Sequence, residues 1–209
     1  VKIAVLGGTG SFGGALARRL VTLGEDEIVI GSRDAARAEA CAAEFGDATS
    51  GAANLDAVSG VELVVLAVVA DAALATAAAI APALEVPLLS VASVLSFTRG
   101  GVIPDPDALS LAERIQQLVR VPVSAGLHSV AASNLGEAAA EEDAFVCGDD
   151  AAGKALALTL AGKLVSGRAL DAGPLASART LEGLTAVIVN LNRRYRGHAG
   201  ITVTGLPSA

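Results

Sequence analysis

The sequence predicts an α/β fold, a doubly wound parallel sheet with a small C-terminal α/β extension that ends in a long helix. Three observations predict it. Short β-branched runs alternate with alanine-rich stretches of helical spacing, the first run ends in a glycine cluster from Gly7 to Gly13, and a late apolar stripe repeats at Leu181, Leu184, Ile188 and Leu191. Strands that alternate with helices build a parallel sheet with right-handed crossovers.

Residues 2–6, Lys-Ile-Ala-Val-Leu, read as a strand buried on both faces. From Ala15 onward, Leu16, Leu20 and Leu23 recur at helical spacing until Gly24 stops them. Residues 27–30 form the next strand and 34–45 the next helix, closed by Gly46. Between Gly46 and Gly60 the pattern is weak, with a short strand near 48–52. Residues 62–68 are the strongest strand, followed by an alanine-rich helix up to Pro82 and a strand at 86–91. After a loop, 106–119 read as a helix and 121–125 as a sixth strand. The remainder reads as a strand at 144–147, a helix at 150–165, a strand at 169–171 and a long helix from about 177 to 196. Two units follow, residues 1–125 and a smaller C-terminal domain at 126–209.

The totals narrow the function. With 53% hydrophobic and 18% charged residues, the 209-residue chain can bury a core. A net charge of −7 leaves no basic surface to neutralise a phosphate backbone or an anionic membrane, so neither partner is expected. The most membrane-like stretch, 61–97, is broken by Asp71, Pro82, Glu85 and Pro87, and its longest uncharged run (72–84) falls short of the roughly 20 residues a span needs. Cys41 and Cys147 form no metal-spaced or disulfide pattern and read as small buried hydrophobes. No signal-peptide pattern opens the chain, which points to a cytoplasmic, reducing setting.

Gly8-Thr9-Gly10-Ser11-Phe12-Gly13 is a G-x-G-x-x-G loop, overlapped by Gly7-x-x-Gly10-x-x-Gly13. Placed between a strand and a helix, such a loop lets the backbone approach a pyrophosphate at the positive helix N-terminus, the mark of a Rossmann-type dinucleotide site. An NAD site would carry Asp or Glu at the end of the second strand to bond the ribose 2′-hydroxyl. This chain has Gly31-Ser32-Arg33 there. A carboxylate would repel a 2′-phosphate, whereas a hydroxyl and a guanidinium bind it, and Arg37, one helical turn on, adds a second positive charge. The expected cofactor is therefore NADP.

No catalytic constellation stands out by spacing, and no metal set is present. The candidate histidines are His128, directly after a strand, and His198 near the end. A histidine at the carboxyl end of a sheet strand lies where doubly wound folds bind ligands.

With these residues in hand, the chain resembles the NADPH-dependent reductases of the deazaflavin coenzyme F-420. The likeness runs through Leu6-Gly7-Gly8-Thr9-Gly10 and Gly31-Ser32-Arg33 to Leu127-His128-Ser129, Val146-Cys147-Gly148-Asp149-Asp150 and Leu170-Asp171-Ala172-Gly173-Pro174-Leu175. It continues at Arg179, Leu181-Glu182, Leu184-Thr185 and Gly200-Ile201. The resemblance implies an oxidoreductase that moves a hydride between C4 of the nicotinamide and C5 of the deazaflavin, a reaction that needs orientation more than a nucleophile. It places Gly8 to Gly13, Ser32, Arg33, Arg37, Ala70, Leu74 and Phe97 on the NADP side, and Ala132 and Ala199 with His128 and Thr185 at the nicotinamide and deazaflavin cleft. His128 and Thr185 are then the expected catalytic pair, hydrogen-bond donors to the charge that grows in the deazaflavin's pyrimidine end. The 126–209 domain would complete that cleft. The sequence departs from the family at Val69-Ala70, Ser93, Ser96 and Ala131, where relatives carry prolines or an aromatic residue; each change widens the cleft wall. Two other readings stand beside this one: an NADP-dependent reductase of another small imine or carbonyl substrate, and a non-catalytic NADP-sensing module. The apolar stripe of the last helix leads us to expect a homodimer.

Overall fold

The computed structural model of the chain describes residues 1–135 and 139–207. Its strands are β1 (Lys2–Leu6), β2 (Glu27–Ser32), β3 (Thr49–Ala53), β4 (Leu63–Leu66), β5 (Leu88–Ser90), β6 (Leu95–Thr98), β7 (Gly101–Pro104), β8 (Val123–Gly126), β9 (Ala144–Gly148) and β10 (Ala169–Asp171). The helices are α1 (Ser11–Leu23), α2 (Ala35–Ala43), α3 (Asn54–Ala57), α4 (Ala70–Ile80), α5 (Leu111–Gln116), α6 (Ala151–Leu164) and α7 (Ala178–Tyr195).

Eight strands form one sheet in the order β3-β2-β1-β4-β5-β8-β9-β10. Neighbours are parallel except β8 and β9, which run antiparallel. The sheet thus continues past residue 126 through β9 and β10. Its strands are covered on both faces, as expected of parallel strands with helical crossovers. Ala4, Leu6, Val64 and Leu66 point into one apolar cluster with α4, α5 and α7, while Ile3, Val5, Leu63 and Val65 point into the other with α1, α2 and α6.

Local chemistry sets the helix ends. α1 begins at Ser11, ahead of the leucine stripe, and stops at Gly24, which adopts φ 70°. Asp34 caps α2 by accepting from the Arg37 N–H at 3.2 Å. The helix expected at 106–119 contracts to Leu111–Gln116. Upstream, Asp105 and Asp107 accept backbone N–H bonds from Asp107 and Leu109, which hold the chain in turns, and the helix starts only at the Ser110–Glu113 capping box.

The loop expected after β5 contains a two-stranded antiparallel hairpin, β6 and β7, closed by Arg99-Gly100. Its support is distant in sequence. The Asn190 side chain of α7 accepts from the Val102 N–H at 2.8 Å and donates to the Val102 carbonyl at 2.7 Å, in the manner of one more strand residue. Gly101, at φ 135°, is where that amide packs, since a Cβ there would lie 2.8 Å from Asn190 Oδ1.

A second buried tie joins α7 to α5. The Glu182 carboxylate accepts from the Leu111 N–H at 2.9 Å and the Ala112 N–H at 3.1 Å, two first-turn donors that have no partner within their own helix. No helix among the described residues is long and apolar enough to cross a membrane.

Candidate active site

The carboxyl ends of β1, β2, β4, β5 and β8 open on one edge of the sheet, where doubly wound folds hold ligands. A cleft of about 490 Å³ runs along it, lined by Gly7, Thr9, Gly10, Ser11 and Phe12 at one wall and Ser32, Arg33 and Arg37 at another. The sequence had singled out all of these.

The glycines make the wall thin. Gly7 turns at φ 85° and donates its N–H to the Gly31 carbonyl at 2.9 Å; a Cβ on it would lie 2.6 Å from the Ala67 carbonyl oxygen. Gly13 faces the Gly7 carbonyl so closely that a methyl group there would collide with backbone. Gly8 and Gly13 therefore shape the loop from behind and do not line the cleft. α1 has no side-chain cap and no acidic residue in its first turn, so its leading N–H groups are available to an anion.

At the 2′-phosphate end, Ser32 Oγ accepts from the Asp34 N–H at 3.2 Å, which leaves its hydroxyl hydrogen to donate. Arg33 and Arg37 are exposed on the cleft rim and make no ion pair with a carboxylate among the described residues. This arrangement receives a phosphate.

The cleft also takes in residues to which the sequence reading gave no cofactor role, Val69 among them, which it had marked only as a departure from the family. Asn54 opens α3 at the end of the weakly patterned β3, with its Oδ1 buried and without a hydrogen-bond partner among the described residues. Val69, Ala72 and Thr76 supply the α4 wall, and Val91 and Ala92 the segment after β5. Ala70 and Leu74, expected on the NADP side, sit on the same helix but pack against the apolar core beside α4. Phe97 lies on the hairpin, 65% exposed, with the Arg193 guanidinium 5.2 Å from its ring centre. It is placed beside α7, apart from the arginines at the β2 end.

His128 follows β8 through Leu127, a buried residue at φ 65°, a left-handed conformation uncommon for non-glycine residues. The histidine is buried. Its Nδ1 lies 3.2 Å from Ser93 Oγ, Ser93 Oγ lies 2.9 Å from Thr185 Oγ1, and Thr185 Oγ1 donates to the His128 carbonyl at 3.0 Å. Burial pushes the imidazole down to about 4, so it is neutral at physiological pH. Its Nε2 is buried with no partner among the described residues. The structure thus brings His128 and Thr185 together and adds Ser93, which the sequence reading had marked only as a departure from the family at the cleft wall.

Ala132 and Ala199 are each next in sequence to one partner of a Ser133–His198 hydrogen bond. Ala132 opens a single 3₁₀ turn (Ala132–Asn134), in which Ser133 Oγ meets His198 Nδ1 at 2.9 Å, and the Ala199 N–H donates to Asn192 Oδ1 at 2.6 Å. The C-terminal segment is fastened beyond them. Asp143 accepts from the Val203 N–H at 2.8 Å and from Arg168, which also donates to the Val203 carbonyl; these bonds hold the Asp143 carboxyl down at about 2.

Comparisons with known proteins agree with this geometry. Residues 2–94 match the family model for NADP oxidoreductases that depend on coenzyme F420. The F420-dependent NADP reductase of Methanothermobacter thermautotrophicus is 35% identical over 99% of this chain and 96% of its own length. That of Methanocaldococcus jannaschii is 29% identical over 99% of both. Among solved structures, a protein from Arthrobacter sp. FB24 assigned to the F420-dependent NADP reductases superposes with a TM-score of 0.82 at 32% identity, covering 97% of this chain and 99% of its own. A shared motif could arise on an unrelated domain, but identity at this level over the whole length of both proteins could not: the chain belongs to the F420-dependent NADP reductase family.

Proposed function

We propose that this chain is an oxidoreductase that transfers a hydride between NADP(H) and the deazaflavin coenzyme F-420, with Ser32, Arg33 and Arg37 reading the 2′-phosphate. The observation that carries the reading is the cleft itself. A glycine cradle too tight for a Cβ at Gly7 or Gly13 and an uncapped helix N-terminus stand beside two arginines with no carboxylate partner among the described residues, and a ring of neutral polar groups stands at the carboxyl ends of β5 and β8. The cradle and arginines fit a phosphorylated dinucleotide, because they supply donors and positive charge where its phosphates must lie.

When bound, NADP(H) and the deazaflavin supply the hydride donor and acceptor between them. The protein's task is to bind and orient. The first-turn N–H groups of α1 hold the pyrophosphate, and Val69, Ala72 and Val91 form the apolar wall that excludes water. Ser93, His128 and Thr185 set the polarity of the end where the rings meet. Residues 126–209 act as the second half of this cleft, since they carry His128, Ala132, Thr185 and Ala199. The enzyme works in the cytoplasm as a homodimer built partly on α7, where Val187 and Leu191 stay exposed although Leu181 and Ile188 are buried in the chain's own core.

Mixing the protein with NADPH and oxidised coenzyme F-420 tests the reading directly. Loss of the deazaflavin absorbance in step with NADPH oxidation is expected. NADPH binding without that loss would show a nucleotide-binding protein with another substrate or none.

A further inference from the structure

The hydroxyl hydrogens around His128 can be counted. Thr185 has one, and it goes to the His128 carbonyl at 3.0 Å. The 2.9 Å contact between Ser93 Oγ and Thr185 Oγ1 then uses the hydrogen of Ser93. With that hydrogen spent, Ser93 Oγ can only accept in its 3.2 Å contact with His128 Nδ1, so Nδ1 carries the proton. The ring of bonds closes on itself, running from the imidazole N–H through both hydroxyls to the histidine's own carbonyl.

A neutral imidazole has one N–H. We propose that Ser93 is a positioning residue that fixes His128 as its Nδ1–H tautomer, so that Nε2 holds a bare lone pair and His128 serves the reaction as an acceptor for a ligand N–H. Three elements are tied by this ring: the segment after β5, the segment after β8, and α7. The second observation is Nε2 itself, buried and without a donor among the described residues, in a residue that is 5% exposed. An imidazolium is excluded as the resting form, because burial holds the ring far below its ordinary value.

The proposal rests on the hydride-transfer reading and reverses the polarity expected of His128 from the sequence. As a donor it would stabilise the growing charge on the ring acceptors of the deazaflavin. As an acceptor it meets an amide-type N–H flanked by carbonyl, which occurs in the imide of a deazaflavin and in the carboxamide of a nicotinamide. Either ring carries that group.

Nitrogen-15 spectra of the uniformly labelled protein decide the tautomer with no substrate present. The chain has two histidines, so His198→Gln assigns the signals. The expected pattern is a protonated Nδ1 and an unprotonated Nε2 in the wild type, retained in Ser93→Thr and lost to a tautomer mixture in Ser93→Ala. Titration with NADP alone and with coenzyme F-420 alone follows, and the ligand that moves the Nε2 resonance is the one that supplies the N–H. Single-turnover hydride transfer should slow about 10- to 100-fold in Ser93→Ala, the scale seen when the partner orienting a metal-bound histidine is removed, and recover in Ser93→Thr. A protonated Nε2 in the wild type, an unchanged tautomer in Ser93→Ala, or an Nε2 signal that neither ligand moves would overturn the proposal. The tautomer is read whether or not the protein reduces coenzyme F-420, so failure here and failure of the hydride-transfer reading give different results.

Discussion

Lowering the pH should destabilise this protein through His128, by an amount that its burial sets. The ring titrates near its ordinary 6.5 in the unfolded chain and at about 4 in the folded one. A folded-state value that is depressed means the unfolded chain takes up the proton first, so stability is intact above about pH 6.5 and falls as the pH drops toward 4. At pH 5 the unfolded chain is almost fully protonated at this site and the folded chain barely so, which corresponds to a loss of about 2 kcal/mol; by pH 4 and below the loss approaches about 3 kcal/mol. Glu142 and Glu182, whose carboxyls burial pushes up, act in the opposite sense over part of the same range, so the wild-type profile alone does not isolate the histidine. Urea unfolding of the wild type and of His128→Asn at pH 7.5 and pH 5 does, because every other group is common to both. The variant should start less stable and lose about 2 kcal/mol less between the two pH values. Equal losses in both proteins would refute the reasoning, since a ring that titrates at the same pH folded and unfolded is neither buried nor held neutral.

Three further outcomes are expected. Arg33→Ala should weaken NADPH binding by about 1 to 3 kcal/mol and leave NADH nearly unchanged, read by titration calorimetry; equal losses for both cofactors would mean that Arg33 supports the fold and does not read the phosphate. Glu182→Ala strands the buried Leu111 and Ala112 N–H groups and should cost about 2 to 4 kcal/mol in urea unfolding, whereas Glu182→Gln, which keeps one acceptor oxygen, should cost less. If both variants unfold like the wild type, Glu182 does not cap α5. Sedimentation at micromolar concentration should give a dimer mass that drops in Val187→Glu, the exposed apolar position at the middle of α7, and a monomer for the wild type rules the α7 dimer out.

Much of the molecule could be read from local patterns, because those patterns act locally. β1, β2 and β4 announce themselves as β-branched runs and β5 as a short apolar one, and the phosphate loop is legible since glycine alone suits both the positive φ of Gly7 and the backbone that crowds Gly13. Ser32 and Arg33 follow from their place at the end of β2 and from the charge of a phosphate. The tertiary structure decided what depends on distant partners. β6 and β7 hold their hairpin on Asn190, 88 residues further along, and α5 takes its start from its own capping box and from Glu182, 71 residues beyond Leu111. β9 reverses direction against β8, which no periodicity encodes because a strand's alternation reads the same in either direction. His128 stood out as a histidine after a strand, but its burial, its neutral charge and its bond to Ser93 come from packing β5, β8 and α7 together. Ser93 and Thr185 are 92 residues apart and meet only in the folded chain, where each has one hydrogen to give and a neighbour that fixes its direction.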